Sequence, residues 1–160
     1  MLIPLLQEDP VEVLFAPSGE SRKLERRLVR ELNSATRSID VAMFHFTSPL
    51  LEQALIGRAQ AGVAVRLLLD KALADPALVD RLRAGGVDLR QVTPAKESAR
   101  FHHKFAVLDV KIVLTGSYNW TVMGGIANHE NVVILRHAAA ARTFHEGFEE
   151  TWHDSSLSRP

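Results

Sequence analysis

Apolar positions along this chain switch repeatedly between a period of two and a period near four, the signature of strands separated by helices. Val11 to Phe15 (VEVLF) is β-rich, and Ala16-Pro17-Ser18-Gly19 breaks it before a helix in which Leu24, Leu28 and Leu32 recur every four residues. Ser38 to Phe46 (SIDVAMFHF) predicts a second strand. Thr47-Ser48-Pro49 then supplies a hydroxyl cap and a first-turn proline to a helix running to about Gln60, closed by Ala61-Gly62. Val63 to Leu69 predicts a largely buried strand, Asp75 to Ala84 a short helix stopped by Gly85-Gly86, and Val87 to Val92 a further strand. Strands alternating with helices of this length imply an α/β fold: a mixed, mostly parallel β-sheet with helices on both faces.

The second half has a different rhythm. Thr93 to Arg100 is polar and irregular, and predicts a loop beside a site. Phe101 to Leu108 and Ile112 to Thr115 are separated by Asp109-Val110-Lys111 alone, too short for a crossover helix, so they predict an antiparallel hairpin. Asn131 to Arg136 reads as a last strand. Ala138 to Trp152 reads as a closing helix whose Phe144, Phe148 and Trp152 form one apolar stripe, taken as core. With no internal repeat and no linker composition, residues 1–160 are expected to form one domain with its core between about 11 and 152.

Charge refines the picture. The 19 basic and 19 acidic residues cancel, which argues against a uniformly basic polyanion binder. Their distribution is uneven: Arg22 to Lys111 holds 16 basic and 10 acidic side chains, the two flanks 3 and 9. Such asymmetry lets one face attract a polyanion while the molecule stays neutral; charges that merely decorate solvated helices are the plainer reading. No apolar run approaches the roughly 18 residues that span a bilayer, so stable membrane insertion is not expected. Met1 to Leu6 lacks the basic start and long apolar stretch of a secretory signal, and a cytoplasmic location is the expectation. With no cysteine, disulfides and thiolate metal sites are excluded.

Chemistry concentrates in FHHKFAVLD. Side chains alternate along a strand, so His102 and Lys104 share one face while His103 points the other way with Phe101 and Phe105. After the hairpin, Gly116-Ser117-Tyr118-Asn119 permits a tight turn that returns a short amide towards His102. An imidazole, an ammonium and an amide suit a phosphodiester, whose transition state spreads negative charge over its non-bridging oxygens. A histidine–lysine pair alone would more often be structural. Here His102, Lys104, Asp109, Gly116, Ser117 and Asn119 match H-x-K-x4-D-x6-G-S-x-N, a coincidence expected only on the order of a few times in a million for six fixed positions.

That signature resembles the phospholipase D superfamily. The likeness extends to Asn128-His129-Glu130-Asn131, which looks like the downstream N-x-E-N element, to SIDVAMFHFTSPLLEQAL, and to the closing Phe148 and Trp152. It covers about Val11 to Trp152 and is nearest to the branch with one motif per chain, which includes bacterial nonspecific endonucleases and mitochondrial phospholipase D-like nucleases. The resemblance implies a covalent phosphohistidine formed without metal or cofactor, and a homodimer that brings two copies of His102 to one site at the twofold interface. It implies that Lys104 and Asn119 bind phosphate oxygens, that Ser117 adds a hydroxyl donor, and that Glu130 orients His102. Asp109 and Gly116 are read as structural members of the motif, His103 and His129 as packing or surface residues, and Lys111 and Arg100 as candidates for the rim.

Three substrate readings follow. A nuclease of low sequence specificity is favoured by small size, the single motif and the basic excess that includes RKLERR. A phospholipase D or cardiolipin-type hydrolase would need an apolar rim, for which Trp120, Val122 and Met123 are the candidates. A noncatalytic nucleic-acid-binding domain would not need the full set of His102, Lys104, Asn119 and Glu130.

Overall fold

The computed structural model describes residues 10–18 and 22–154; Met1 to Leu6 and Gly19 lie outside them. The strands are β1 (Val11–Ala16), β2 (Ser38–Met43), β3 (Ala64–Asp70), β4 (Asp88–Val92), β5 (Lys104–Leu108), β6 (Ile112–Gly116) and β7 (Glu130–Leu135). The helices are α1 (Lys23–Ser34), α2 (Pro49–Gln60), α3 (Pro76–Ala84), α4 (Val122–Ile126) and α5 (Ala138–Trp152). Local chemistry sets the helix starts: Ser48 caps α2 and Asp75 caps α3, each ahead of a proline in the first turn.

All seven strands form one sheet in the order β1-β7-β6-β5-β2-β3-β4. Alternation along β5 divides the core: Ala106 and Leu108 join the cluster under α1, α2 and α3, whereas Phe105 and Val107 join the cluster under α5. Helices therefore cover both faces, as expected. Leu28 and Leu32 of α1 are fully buried, and each such leucine contributes about 2 kcal/mol by leaving water.

The expectation of a mostly parallel sheet is corrected. Only β2–β3 and β3–β4 pair in parallel; the other four pairings, β1–β7, β7–β6, β6–β5 and β5–β2, are antiparallel. The cause is β1, which does not pair with β2 through a crossover but runs to the sheet edge and pairs with the last strand, Val13 opposite Val133. The predicted hairpin is present, with Leu108 opposite Ile112 and Phe105 opposite Thr115.

The functional consequence is one crowded end of the sheet. Met43 at the end of β2 pairs with Lys104 at the start of β5 and with Leu69 near the end of β3. Gly116 closes β6, Glu130 opens β7 opposite Ala16 of β1, and Asp70 and Val92 pair at the ends of β3 and β4. Carboxyl ends of parallel strands are where open α/β sheets bind ligands.

Candidate active site

His102 lies just ahead of β5 and is exposed. Its ring leans on Phe44, 4.5 Å between centroids, and Lys104 brings Nζ to 3.3 and 3.4 Å from the two ring nitrogens. The same ammonium donates to the His102 carbonyl at 3.1 Å and stands 5.0 Å over the Phe44 ring. Partial burial pushes the Lys104 pKa down, against the upward pull of Glu130. An ammonium short of solvent in this way gains most from an arriving anion.

His103 takes the opposite face, as parity requires, with its ring 5.1 Å from Phe101 and 5.5 Å from Phe105. Burial first, then the charges of Lys104 and His102, lower its pKa. It packs on the α5 side of the sheet and stands apart from the chemistry.

Ser117 and Glu130 meet across the ends of β6 and β7. The Ser117 hydroxyl donates to Glu130 Oε2 at 2.5 Å and accepts from the Asn131 backbone N–H at 3.0 Å. Asn128 Nδ2 approaches the other carboxylate oxygen at 3.5 Å. Within one chain, then, Glu130 engages Ser117 and Asn128, and among the described residues no hydrogen bond joins it to His102. The resemblance implied that Glu130 orients His102; within a single chain the carboxylate turns to Ser117. Gly116 is required by close approach, since a Cβ there would strike the Asn131 carbonyl oxygen.

Lys104, Gly116, Tyr118 and Trp120 share the wall of a small cavity of about 10 Å³, which brings the lysine against the turn that carries Asn119. The Asn119 side-chain oxygen is buried without a partner. A frame that the sequence analysis missed holds this turn. The Trp120 carbonyl accepts from Thr47 N and Ser48 N at 2.8 and 2.9 Å, and the Ser48 hydroxyl donates to the wholly buried Glu25 at 2.5 Å. Burial and the neighbouring Glu25 raise the Tyr118 pKa far above its usual range, so its hydroxyl stays protonated and donates to the Thr121 carbonyl at 3.1 Å. The signal in the sequence was Ser48 alone, which reads as a helix cap and is one, while also bonding Glu25.

Other expectations resolve by position. Asp109 sits at the far end of β5, where its carboxylate accepts from the backbone N–H groups of Thr36, Arg37 and Ser38 at 2.9, 2.7 and 2.9 Å. Lys111 shares that hairpin turn and is therefore away from the rim, whereas Arg100 is at the His102 end. Trp120 is buried and offers no greasy rim, whereas Met123 is 58% exposed. Of the basic run RKLERR, Arg27 is held by Glu12 and Glu31.

One group with metal-ligand chemistry exists among the described residues: Asp40, His145 and Glu149, whose ligand atoms lie within 4.8 Å of one another. Its spacing in sequence was not recognisable, because Asp40 is on β2 and the other two on α5. Arg66 already occupies it, with Nε 2.7 Å from Asp40 and a terminal nitrogen 2.5 Å from Glu149. The cluster lies under α5, away from His102.

With this geometry in view, the likenesses to known proteins fall into place. The family model described as "Cardiolipin synthase, PLD-like domain" matches residues 28–152. The mitochondrial cardiolipin hydrolase of Xenopus laevis is 33% identical over 147 residues, 91% of this chain and 69% of that protein. That of Chlamydomonas reinhardtii is 34% identical over 143 residues, and there the chain spans only 60% of the relative's length. Among solved structures, Nuc from Salmonella typhimurium, described as a phospholipase D family member, superposes with a TM-score of 0.81 at 26% identity, covering 94% of this chain and 98% of its own.

Proposed function

The chain belongs to the phospholipase D superfamily, in its single-motif branch, and from that premise we propose that it is a metal-independent phosphodiesterase acting as a homodimer. The observation that carries this reading is the exposed His102 imidazole with the Lys104 ammonium 3.3 and 3.4 Å from its nitrogens. A nucleophile and a phosphate-binding cation stand side by side at the ligand-binding end of the sheet.

In the proposed reaction a His102 ring nitrogen attacks phosphorus, a P–N bond forms, and the P–O bond to the leaving alcohol breaks as the partner's His102 gives that oxygen a proton. Water then attacks the phosphohistidine, losing its proton to the partner's His102, and the P–N bond breaks. Lys104 and the Asn119 amide bind the non-bridging oxygens where charge accumulates. Ser117 and Glu130 form the adjoining wall. Metal independence is supported by Lys104, whose ammonium beside His102 supplies the positive charge that a metal ion would otherwise bring to the phosphate.

Pairing is supported by an uncovered stripe. Val11, Val13 and Phe15 project from the edge strand β1 at 51%, 51% and 68% exposure, on the sheet face that α5 leaves bare. Phe15 is opposite Asn131, beside Glu130. A twofold axis near this stripe would bring two site ends together.

Nucleic acid is the proposed substrate, supported by the basic excess of the central segment. A second reading, cardiolipin hydrolysis, is favoured by the names of the relatives at 33% and 34% identity. Both share the attacked group. The test is hydrolysis of single-stranded DNA, duplex DNA, RNA and cardiolipin vesicles in EDTA, with the His102→Ala protein alongside. Cleavage of at least one substrate, lost on substitution, is expected; cleavage that EDTA abolishes and magnesium or zinc restores would refute the mechanism, and cleavage of vesicles alone would select the second reading.

A further inference from the structure

A cleft of about 340 Å³ opens at the same end of the sheet as His102, between the ends of β3 and β4 and the loop 93–100. Its lining includes the apolar Ala72, Val92 and Pro94 and three cations, Lys71, Lys96 and Arg100. Two carboxylates also line it. Asp70 is buried and engaged, accepting from the backbone N–H of Phe101 at 2.8 Å and of Ala72 at 3.0 Å. Glu97 is exposed, and among the described residues neither it nor any other carboxylate pairs with the three cations.

The position is fixed relative to the chemistry. The Asp70–Phe101 hydrogen bond ties the cleft wall to the residue that precedes His102. In the strand order β5-β2-β3 the cleft begins two strand spacings from Lys104, roughly 10 Å. An anion held there would be a near neighbour of one attacked by His102, not the same one.

We propose that this cleft is a second phosphate subsite: Lys71, Lys96 and Arg100 receive the phosphate next to the scissile one, and the apolar residues of the lining receive the group that links them. The inference rests on the phosphodiesterase reading and deepens it. It assigns the substrate to molecules that carry two phosphodiesters a short link apart, a chemistry shared by a nucleic-acid strand and by cardiolipin. A single-phosphate ester would fill only half of the site.

The test compares the full chain with a variant combining Lys71→Gln, Lys96→Gln and Arg100→Gln, and with a charge-matched control combining Arg37→Gln, Lys111→Gln and Arg142→Gln, all exposed and outside the cleft. Each protein is assayed in EDTA on bis(p-nitrophenyl) phosphate, a thymidine hexanucleotide, phosphatidylglycerol vesicles and cardiolipin vesicles. The expected result is that the triple variant loses its preference for the multi-phosphate substrate over the single-phosphate one by about tenfold or more, through KM. For the hexanucleotide, the slope of log KM against log salt should fall by about 2, near 0.7 for each lost contact to a single strand. Loss on the hexanucleotide alone assigns a nucleic-acid strand to the cleft, and loss on cardiolipin alone assigns the lipid. Equal losses on single- and multi-phosphate esters, or equal losses in the control, would overturn the subsite while leaving the phosphodiesterase standing. Failure of the unmutated protein to hydrolyse any of the four would overturn the phosphodiesterase reading, and the subsite with it.

Discussion

Two motif residues at opposite ends of β5 illustrate how the same short signature divides between chemistry and architecture. Lys104 is half-buried, and the expected cost of removing it falls on the transition state: Lys104→Met should lower kcat by about 10² to 10³, the usual loss when one charge-stabilising donor is deleted, with little change in the thermal midpoint. Asp109 is the converse. Burial alone would raise its pKa, but the N–H groups of Ser38, Thr36 and Arg37 and the Thr36 hydroxyl more than offset this and hold the carboxyl below its usual range. A depressed carboxyl stabilises the fold above its unfolded pKa of roughly 4 and stops doing so as pH falls through the lower folded value. Asp109→Asn should therefore cost about 2 kcal/mol at pH 7 in urea unfolding, a cost that shrinks below about pH 4, while kcat per folded molecule is kept. An undiminished gap between the two proteins at pH 3 would contradict this account. Parity in the strand made His102, Lys104 and His103 legible from sequence alone. The Ser117–Glu130 contact was not legible, because nothing in spacing says which neighbour a carboxylate 13 residues away will choose.

Elements were read better than their partners. The residues that begin and end α2 and α3 announce themselves through hydroxyl or carboxylate caps, prolines and glycines, α5 through its Phe144, Phe148 and Trp152 stripe, and those helices lie close to where the pattern predicts them. Helix α4 was missed because it has only five residues and contains Gly124-Gly125, a poor helix former; Gly125 is there because a Cβ would come within 2.8 Å of the buried Glu25. The share of parallel pairing was overestimated because alternation fixes which face a residue takes, not which strand lies beside it or in which direction. The union of α5 with the sheet adds a contact that no local pattern reveals. Arg66 bridges Asp40, 1% exposed, to Glu149, and its guanidinium lies 4.9 Å from the Phe148 ring and 5.2 Å from that of Trp152. Both carboxylates hold the Arg66 pKa above its ordinary value despite burial. Arg66→Ala would leave the buried Asp40 with the His145 ring, 3.0 Å away, in place of a permanent cation, at a cost of about 3 kcal/mol. The urea midpoint should fall accordingly, and a shift smaller than that of an exposed control such as Arg142→Ala would mean the pair contributes nothing.

For the whole molecule, the decisive quantity is how many chains make one site. A single chain offers one His102, one Lys104 and one Glu130, and Glu130 engages its own Ser117 rather than its own His102. If attack and proton transfer need two copies of His102, a dimer with one substituted subunit is inactive. Activity in a randomly exchanged mixture with His102→Ala should then follow the square of the unmutated fraction: an equal mixture should retain about a quarter of full activity instead of the half expected of independent sites. The same logic bears on the bare stripe of β1. The edge strand β1, with Val11, Val13 and Phe15 exposed, is an association surface by its physics, since that face is apolar and among the described residues no strand pairs with its outer edge. Placing charge there, Val13→Glu with Phe15→Glu, buries two carboxylates in any interface that uses the stripe and nothing in a monomer that does not. Sedimentation should show the variant shifted from dimer to monomer, and its specific activity should fall at least tenfold at low concentration and recover partly as concentration rises. A variant that sediments as the unmutated protein does, or a monomer that keeps full activity at every dilution, would detach pairing from this surface in the first case and from catalysis in the second.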